Sequence, residues 1–222
     1  MTAPAEAVAE RLAGVRARIE AAGGDVDRIA IVAVTKTLPV EACRAAVEAG
    51  LTTLGENRVQ EALDKMPALA GAEWHLIGHL QTNKARHAGR FAMVQSVDSE
   101  RVAGAIARHA PGLPALLEVN VAREPEKTGV LPEDAVAVAE RVAELLELRG
   151  VMGMGPREGD PRPAFAELRR LREAIEQRLG RALPVLSMGM SGDFEDAVRE
   201  GSTMLRLGTV LLGPRPDARA VS

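Results

Sequence analysis

Eight short apolar runs, each followed by a segment long enough for a helix, mark the chain between residues 31 and 207. They are IVAV (31–34), TTL (52–54), HLI (75–77), MVQSV (93–97), ALLEVN (115–120), LRGVMGM (148–154), PVLSM (184–188) and MLRL (204–207). Glycine, proline, asparagine or aspartate bounds these runs, which is how strands are punctuated. The intervening stretches, such as PVEACRAAVEAG, SERVAGAIARHA, PEDAVAVAERVAELLE and PAFAELRRLREAIEQRL, carry helical spacing, several with proline near the first helical position.

Eight strand–helix units are the number at which a parallel sheet closes into a barrel and loses its exposed edges. The expected fold is therefore α/β, a single (β/α)8 TIM-type barrel with an extra N-terminal helix from MTAPAEAVAERLAGVRARIEAAGG. One domain spans residues 1–222, with a loose tail at 215–222. An open doubly wound sheet is the alternative. Against it, no GxGxxG follows the first strand and no composition break suggests two lobes.

Composition narrows function by exclusion. A net charge of −3 offers no excess to draw the molecule to nucleic acid or an anionic membrane, and aromatic residues at 2%, with no tyrosine, leave little for base stacking. The first segment mixes charges throughout, unlike a signal peptide, and no run approaches membrane-spanning length. The single cysteine, Cys43, allows no disulfide within the chain and no cysteine-based zinc site. These features predict a cytoplasmic protein, and the low aromatic content with no appended dimerisation domain predicts a monomer.

In barrels of this kind the working groups sit just past the strand C-termini. The first strand runs into Thr35 and Lys36, the second into Glu56 and Asn57, the third into Gly78 and His79 and the fifth into Asn120. The seventh leads into Ser187–Ser191 and the eighth into Arg206, Gly208 and Thr209. A lysine emerging between apolar strand ends is partly desolvated, which favours the neutral amine that attacks an aldehyde to form a Schiff base. The plain alternative for Lys36 is a lysine snorkelling from a strand end.

Ser187, Ser191, Gly189, Gly192 and a helix starting near Asp193 form one set of anion donors, and Gly208 and Thr209 form a second after the last strand. Together they describe a phosphate cup; taken singly, each glycine can serve a turn and Asp193 can cap a helix. Asn57 either orients a ring substituent or, with Glu56, begins a helix. His75 is read as a core or outer-layer residue, His79 as a loop residue, and QTNKARHAGR as a solvated helix face. Met152, Met154, Met188 and Met190 are read as barrel packing, and Cys43 as inert packing.

The segments AVTKT, LGENRVQE, WHLIGHLQTNK, the KTG at 127–129 and LSMGMSGDFEDAVREGSTMLRLGTVLLG closely resemble the pyridoxal phosphate homeostasis protein family, also called the YggS/PROSC family, across residues 5–214. The resemblance implies a pyridoxal 5'-phosphate (PLP) barrel of the alanine-racemase type without the racemases' second domain. It implies Lys36 as the Schiff-base lysine, Arg206 as the arginine approaching the pyridine nitrogen, and Ser191, Gly208 and Thr209 as phosphate-binding positions, with Ser187 and Asn57 also at the cofactor. It further implies a role in vitamin B6 homeostasis, with PLP-dependent apo-enzymes as recipients.

An arginine beside the pyridine nitrogen keeps its own proton and weakens the ring as an electron sink. Two-base racemisation needs a second acid–base group facing the lysine, a tyrosine in alanine racemases, and this chain has none. The expectation is a PLP carrier or buffer without established turnover. The alternatives are an amino-acid racemase of low activity, in which His79 or Cys43 substitutes, and a Schiff-base sugar-phosphate aldolase.

Overall fold

The computed structural model describes residues 3–214; the tail expected to be loose, 215–222, lies outside the described residues. The strands are β1 (Ala30–Val34), β2 (Thr53–Glu56), β3 (Glu73–Leu76), β4 (Met93–Val97), β5 (Pro114–Val119), β6 (Glu147–Gly153), β7 (Val185–Ser187) and β8 (Met204–Leu207). Each matches one apolar run of the sequence to within about two residues, the usual uncertainty of an element's end. All pair in parallel and in chain order, and β1 closes on β8 with Ile31 opposite Leu205 and Val32 opposite Arg206. The barrel is closed, so the open-sheet alternative is ruled out.

The helices are α1 (Ala5–Ala21), α2 (Val40–Glu48), α3 (Val59–Lys65), α4 (Glu100–Ala107), α5 (Ala135–Leu145), α6 (Arg162–Leu179), α7 (Phe194–Arg199) and α8 (Thr209–Leu212). The first precedes the barrel, as expected. Its buried Val8, Leu12, Val15 and Ile19 recur on one face at helical spacing and pack towards α2, α7 and α8, each burial contributing about 1.5–3 kcal/mol. On the same side, the Arg18 guanidinium lies 4.4 Å from the centre of the Phe194 ring and bonds Glu195. QTNKARHAGR, expected to present a helix face, forms a 3-10 helix over Thr82–Arg90. Among the described residues no helix is long and apolar enough to cross a membrane.

Two apolar clusters divide the core. The larger lies between sheet and helices; the smaller, Val32, Met93, Leu116, Met152, Val185 and Met204, takes one residue from each of six strands and fills the barrel interior. Side chains alternate across a strand, so the residues two positions further on share the interior face. Within the strands they are Val34, Gln95, Glu118, Ser187 and Arg206, all buried and all but Val34 polar, and the sixth, Met154, follows β6 and is half-buried. The barrel floor is therefore apolar and the layer above it polar, which places the chemistry at the C-terminal mouth.

Candidate functional site

A cavity of about 400 Å³ opens at that mouth. Lys36 from the end of β1, Asn57 after β2, Arg206 on β8, and Ser191, Gly208 and Thr209 from the last two loops all line it. Six of the seven positions singled out in the sequence thus converge. The seventh, Ser187, is not on the wall: it is fully buried, with its hydroxyl 2.7 Å from Arg206 Nη1. It supports the arginine from below.

That contact begins a buried chain of hydrogen bonds. Arg206 donates through Nη1 to Ser187 and through Nη2 to the Gly153 carbonyl at 2.9 Å. Ser187 donates to Gln95 Oε1 at 2.7 Å, and Gln95 Nε2 lies 2.9 Å from His75 Nδ1. An amide nitrogen can only donate, so Gln95 Nε2 donates and His75 Nδ1 is the acceptor. Burial lowers Arg206 to about 10, which leaves it protonated at neutral pH, and lowers His75 to about 4.

The loop after β7 closes one side of the cavity. Gly189 adopts φ +95, where a side chain would be strained, and a Cβ there would lie 2.6 Å from the Ala197 methyl. The backbone N–H groups of Gly208 and Val210 converge on Ser191 Oγ, at 3.3 and 3.2 Å. Asp193, read as a possible cap, instead accepts from the Met190 N–H at 2.6 Å and ties the loop together. A Cβ at Gly78 would collide with the backbone of Asn57, so glycine lets the loops after β2 and β3 touch beside the pocket. Asn57 is half-buried on that wall; Glu56, offered with it as a helix start, is the last residue of β2 and wholly buried.

The remaining candidates sort by burial. Met152 and Met188 are packed inside, whereas Met154 and Met190 line the cavity, Met190 largely exposed. Cys43 is buried on α2, and burial lifts its thiol above the ordinary range. His79, on the pocket wall, pairs with Asp98 at 2.9 Å.

Sequence reasoning missed Glu118, Thr128 and Gln95. Glu118 on β5 is buried on the cavity wall and accepts from the Thr128 hydroxyl at 2.9 Å, while its Oε2 has no hydrogen-bond partner. Burial raises its carboxyl above the usual carboxylate range, against the Thr128 bond and the Arg206 charge. The available signal was a charged or amide residue inside an apolar run, as in ALLEVN and MVQSV.

The family described as "Alanine racemase, N-terminal domain" matches residues 6–216. A Pseudomonas aeruginosa protein named "Pyridoxal phosphate homeostasis protein" is 43% identical over 97% of each chain, and one of the same name from Aquifex aeolicus is 40% identical over 93% of this chain and 97% of that one. The structure of PipY from Synechococcus elongatus with PLP bound superposes with a TM-score of 0.81 at 34% identity, covering 93% of this chain and 100% of PipY. Alanine racemase from Corynebacterium glutamicum, at 17% identity and a TM-score of 0.76 over 96% of this chain and 62% of its own, shares the fold.

Proposed function

The chain belongs to the pyridoxal phosphate homeostasis protein family, and from that premise we propose that it binds PLP covalently through Lys36 and acts in intracellular PLP homeostasis as a carrier or buffer. The observation that carries this reading is the convergence of an amine, a guanidinium and a set of hydroxyl and backbone donors on one cavity of about 400 Å³. That size suits a small cofactor. PLP, when bound, brings an aldehyde that an amine captures and a ring that can accept electrons from a bound amine.

The donor set fits the parts of such a ligand. Lys36 supplies the amine that meets the aldehyde carbon. Ser191, Gly208 and Thr209 would hold the phosphate, and Asn57 would contact the ring. Arg206, protonated and pinned by Ser187 and Gly153, would meet the ring nitrogen of a bound PLP and keep a proton off it. Ser187 acts through Arg206.

A carrier fits this arrangement better than an amino-acid enzyme. A fixed cation at the ring nitrogen discourages carbanion chemistry, and the chain has no tyrosine to serve as a second base. We read the protein as one cytoplasmic domain, monomeric, with PLP-dependent apo-enzymes as recipients. The racemase alternative rests on His79, which shares the cavity wall with Lys36 and is oriented by Asp98; solvent-hydrogen exchange into an added amino acid, lost in His79→Ala, would favour it.

The test of PLP binding is borohydride reduction of the protein incubated with PLP, followed by mass mapping of peptides. The label is expected on Lys36 and absent from Lys36→Ala; no label, or one retained by that variant, overturns the assignment. Arg206→Ala is expected to release PLP faster than His79→Ala, and equal rates would remove Arg206 from the ring nitrogen.

A further inference from the structure

We infer that Lys65, with Glu56 and Glu61, is a positioning clamp that fixes the direction in which Lys36 leaves the backbone and thereby sets how fast its ligand is captured and how long it is held. The inference rests on the PLP reading above and goes beyond it to residues outside the pocket.

Lys36 sits in a tight turn. The Leu38 N–H donates to the Thr35 carbonyl at 3.0 Å, and Thr37 takes φ +64, a left-handed conformation disfavoured for a residue bearing a Cβ. Lys65 Nζ also donates to the Thr35 carbonyl, at 3.0 Å, and the Thr37 N–H donates to Glu61 Oε1 at 2.5 Å. These two groups belong to the peptide units on either side of the Lys36 Cα. Holding both peptide planes fixes the backbone angles of Lys36, and with them the direction of its Cβ.

The clamp is itself cross-braced. Lys65 Nζ lies 2.7 Å from Glu56 Oε1 and 2.7 Å from Glu61 Oε1, and the Thr35 hydroxyl donates to the same Glu56 oxygen at 2.7 Å. Thr35 in turn joins the sheet, its N–H donating to the Gly55 carbonyl at 3.0 Å. Five bonds thus meet at the side chains of Lys65, Glu56 and Glu61, and three of them reach the turn.

Barrel stability does not explain this arrangement. Lys65 is buried and Glu56 wholly so, and taking ions out of water is costly, which their attraction repays only when the geometry is good. A well-packed apolar pair of similar volume commonly serves stability as well or better. What an apolar pair cannot do is hold a carbonyl and an N–H on opposite sides of one residue.

The experiment compares full-length wild type with Lys65→Met, Glu61→Gln and, as a stability control, Val142→Ala in the outer core on α5. Capture is followed by visible absorbance after mixing with PLP, release by transfer to an excess of a free amine, and folding by thermal unfolding. A wild type without a borohydride-trapped label on Lys36 defeats the PLP reading itself. With that label present, Lys65→Met is expected to slow capture and speed release about tenfold or more, as small misplacements of a reacting group do. It should also shift the visible band, while Val142→Ala loses comparable thermal stability with neither rate changed. Rates in Lys65→Met equal to wild type, or equally altered in Val142→Ala, overturn the clamp. Should Lys65→Met not fold, Glu61→Gln decides: it keeps its size and most of the network, and a severalfold faster release supports the clamp, whereas unchanged rates overturn it.

Discussion

Two buried polar networks support the same pocket, and they are built on different principles. Beneath Lys36 the network consists of ions, Lys65 between Glu56 and Glu61, and its outer bonds go to main-chain groups. Beneath Arg206 it is a chain of neutral groups, Ser187, Gln95 and His75, hanging from a single cation, and it holds a side-chain head. A carbonyl and an N–H are recognised best by charges of opposite sign to the dipole end they meet, so a clamp on backbone favours ions. A guanidinium needs only acceptors at set angles, and a neutral chain provides them without a second buried charge to solvate.

The sharpest way to break that contrast is to delete one member of each network and compare the stability lost. Lys65→Met leaves Glu56 buried without its cation, and removing one partner of a buried pair costs about 3–5 kcal/mol. Urea unfolding of the PLP-free protein should show that loss. A loss within about 1 kcal/mol would mean that the pair behaves like an exposed one and that the networks do not differ in kind.

pH separates the two sides further. His75 is lowered from 6.5 to about 4 by burial, so the folded state holds it neutral while the unfolded chain takes a proton at higher pH. Stability from this group is fully present above 6.5, falls as pH drops towards 4 and levels off below it, by about 3 kcal/mol in all. His75→Gln should flatten that slope between pH 6.5 and 4. An unchanged slope in the variant would assign the acid sensitivity to carboxyls that the fold lowers, such as Glu124 and Glu167, since Glu56 and Glu118, which burial raises, act in the opposite sense.

Much of this was legible in the sequence, because strands and strand-end residues are local. Eight apolar runs gave eight strands, and Lys36, Asn57, Ser191, Arg206, Gly208 and Thr209 stand at strand ends and meet at the barrel mouth. The supports were not legible. Lys65 follows Glu61 at helical spacing and looks in sequence like an exposed surface pair; only the packing of α3 against the end of β2 buries it beside Glu56. Ser187 looked like a ligand contact because it lies at a strand end, but β7 stops at Ser187 itself, and strand alternation turns the hydroxyl inward under Arg206. Whether a polar residue faces the pocket or supports a neighbour depends on register between strands distant in the chain.

The smallest expected effect comes from the middle of the neutral chain. Gln95→Leu removes the acceptor of the Ser187 hydroxyl and the donor to His75 Nδ1, while the shape of the side chain is largely kept. Two buried groups lose a partner, yet neither carries a net charge, so the expected loss is about 1–3 kcal/mol, less than for Lys65→Met. Ser187 can still accept from Arg206, so the guanidinium keeps both of its contacts and PLP release should change only slightly. Gln95→Glu sharpens the test, because a carboxylate cannot donate to His75 Nδ1 and would favour a protonated ring there, raising the histidine towards its unfolded value and flattening the acid slope. If Gln95→Leu released PLP as fast as Arg206→Ala, the chain would hold the arginine through its whole length, and the neutral side would be as tightly coupled to the ligand as the ionic one.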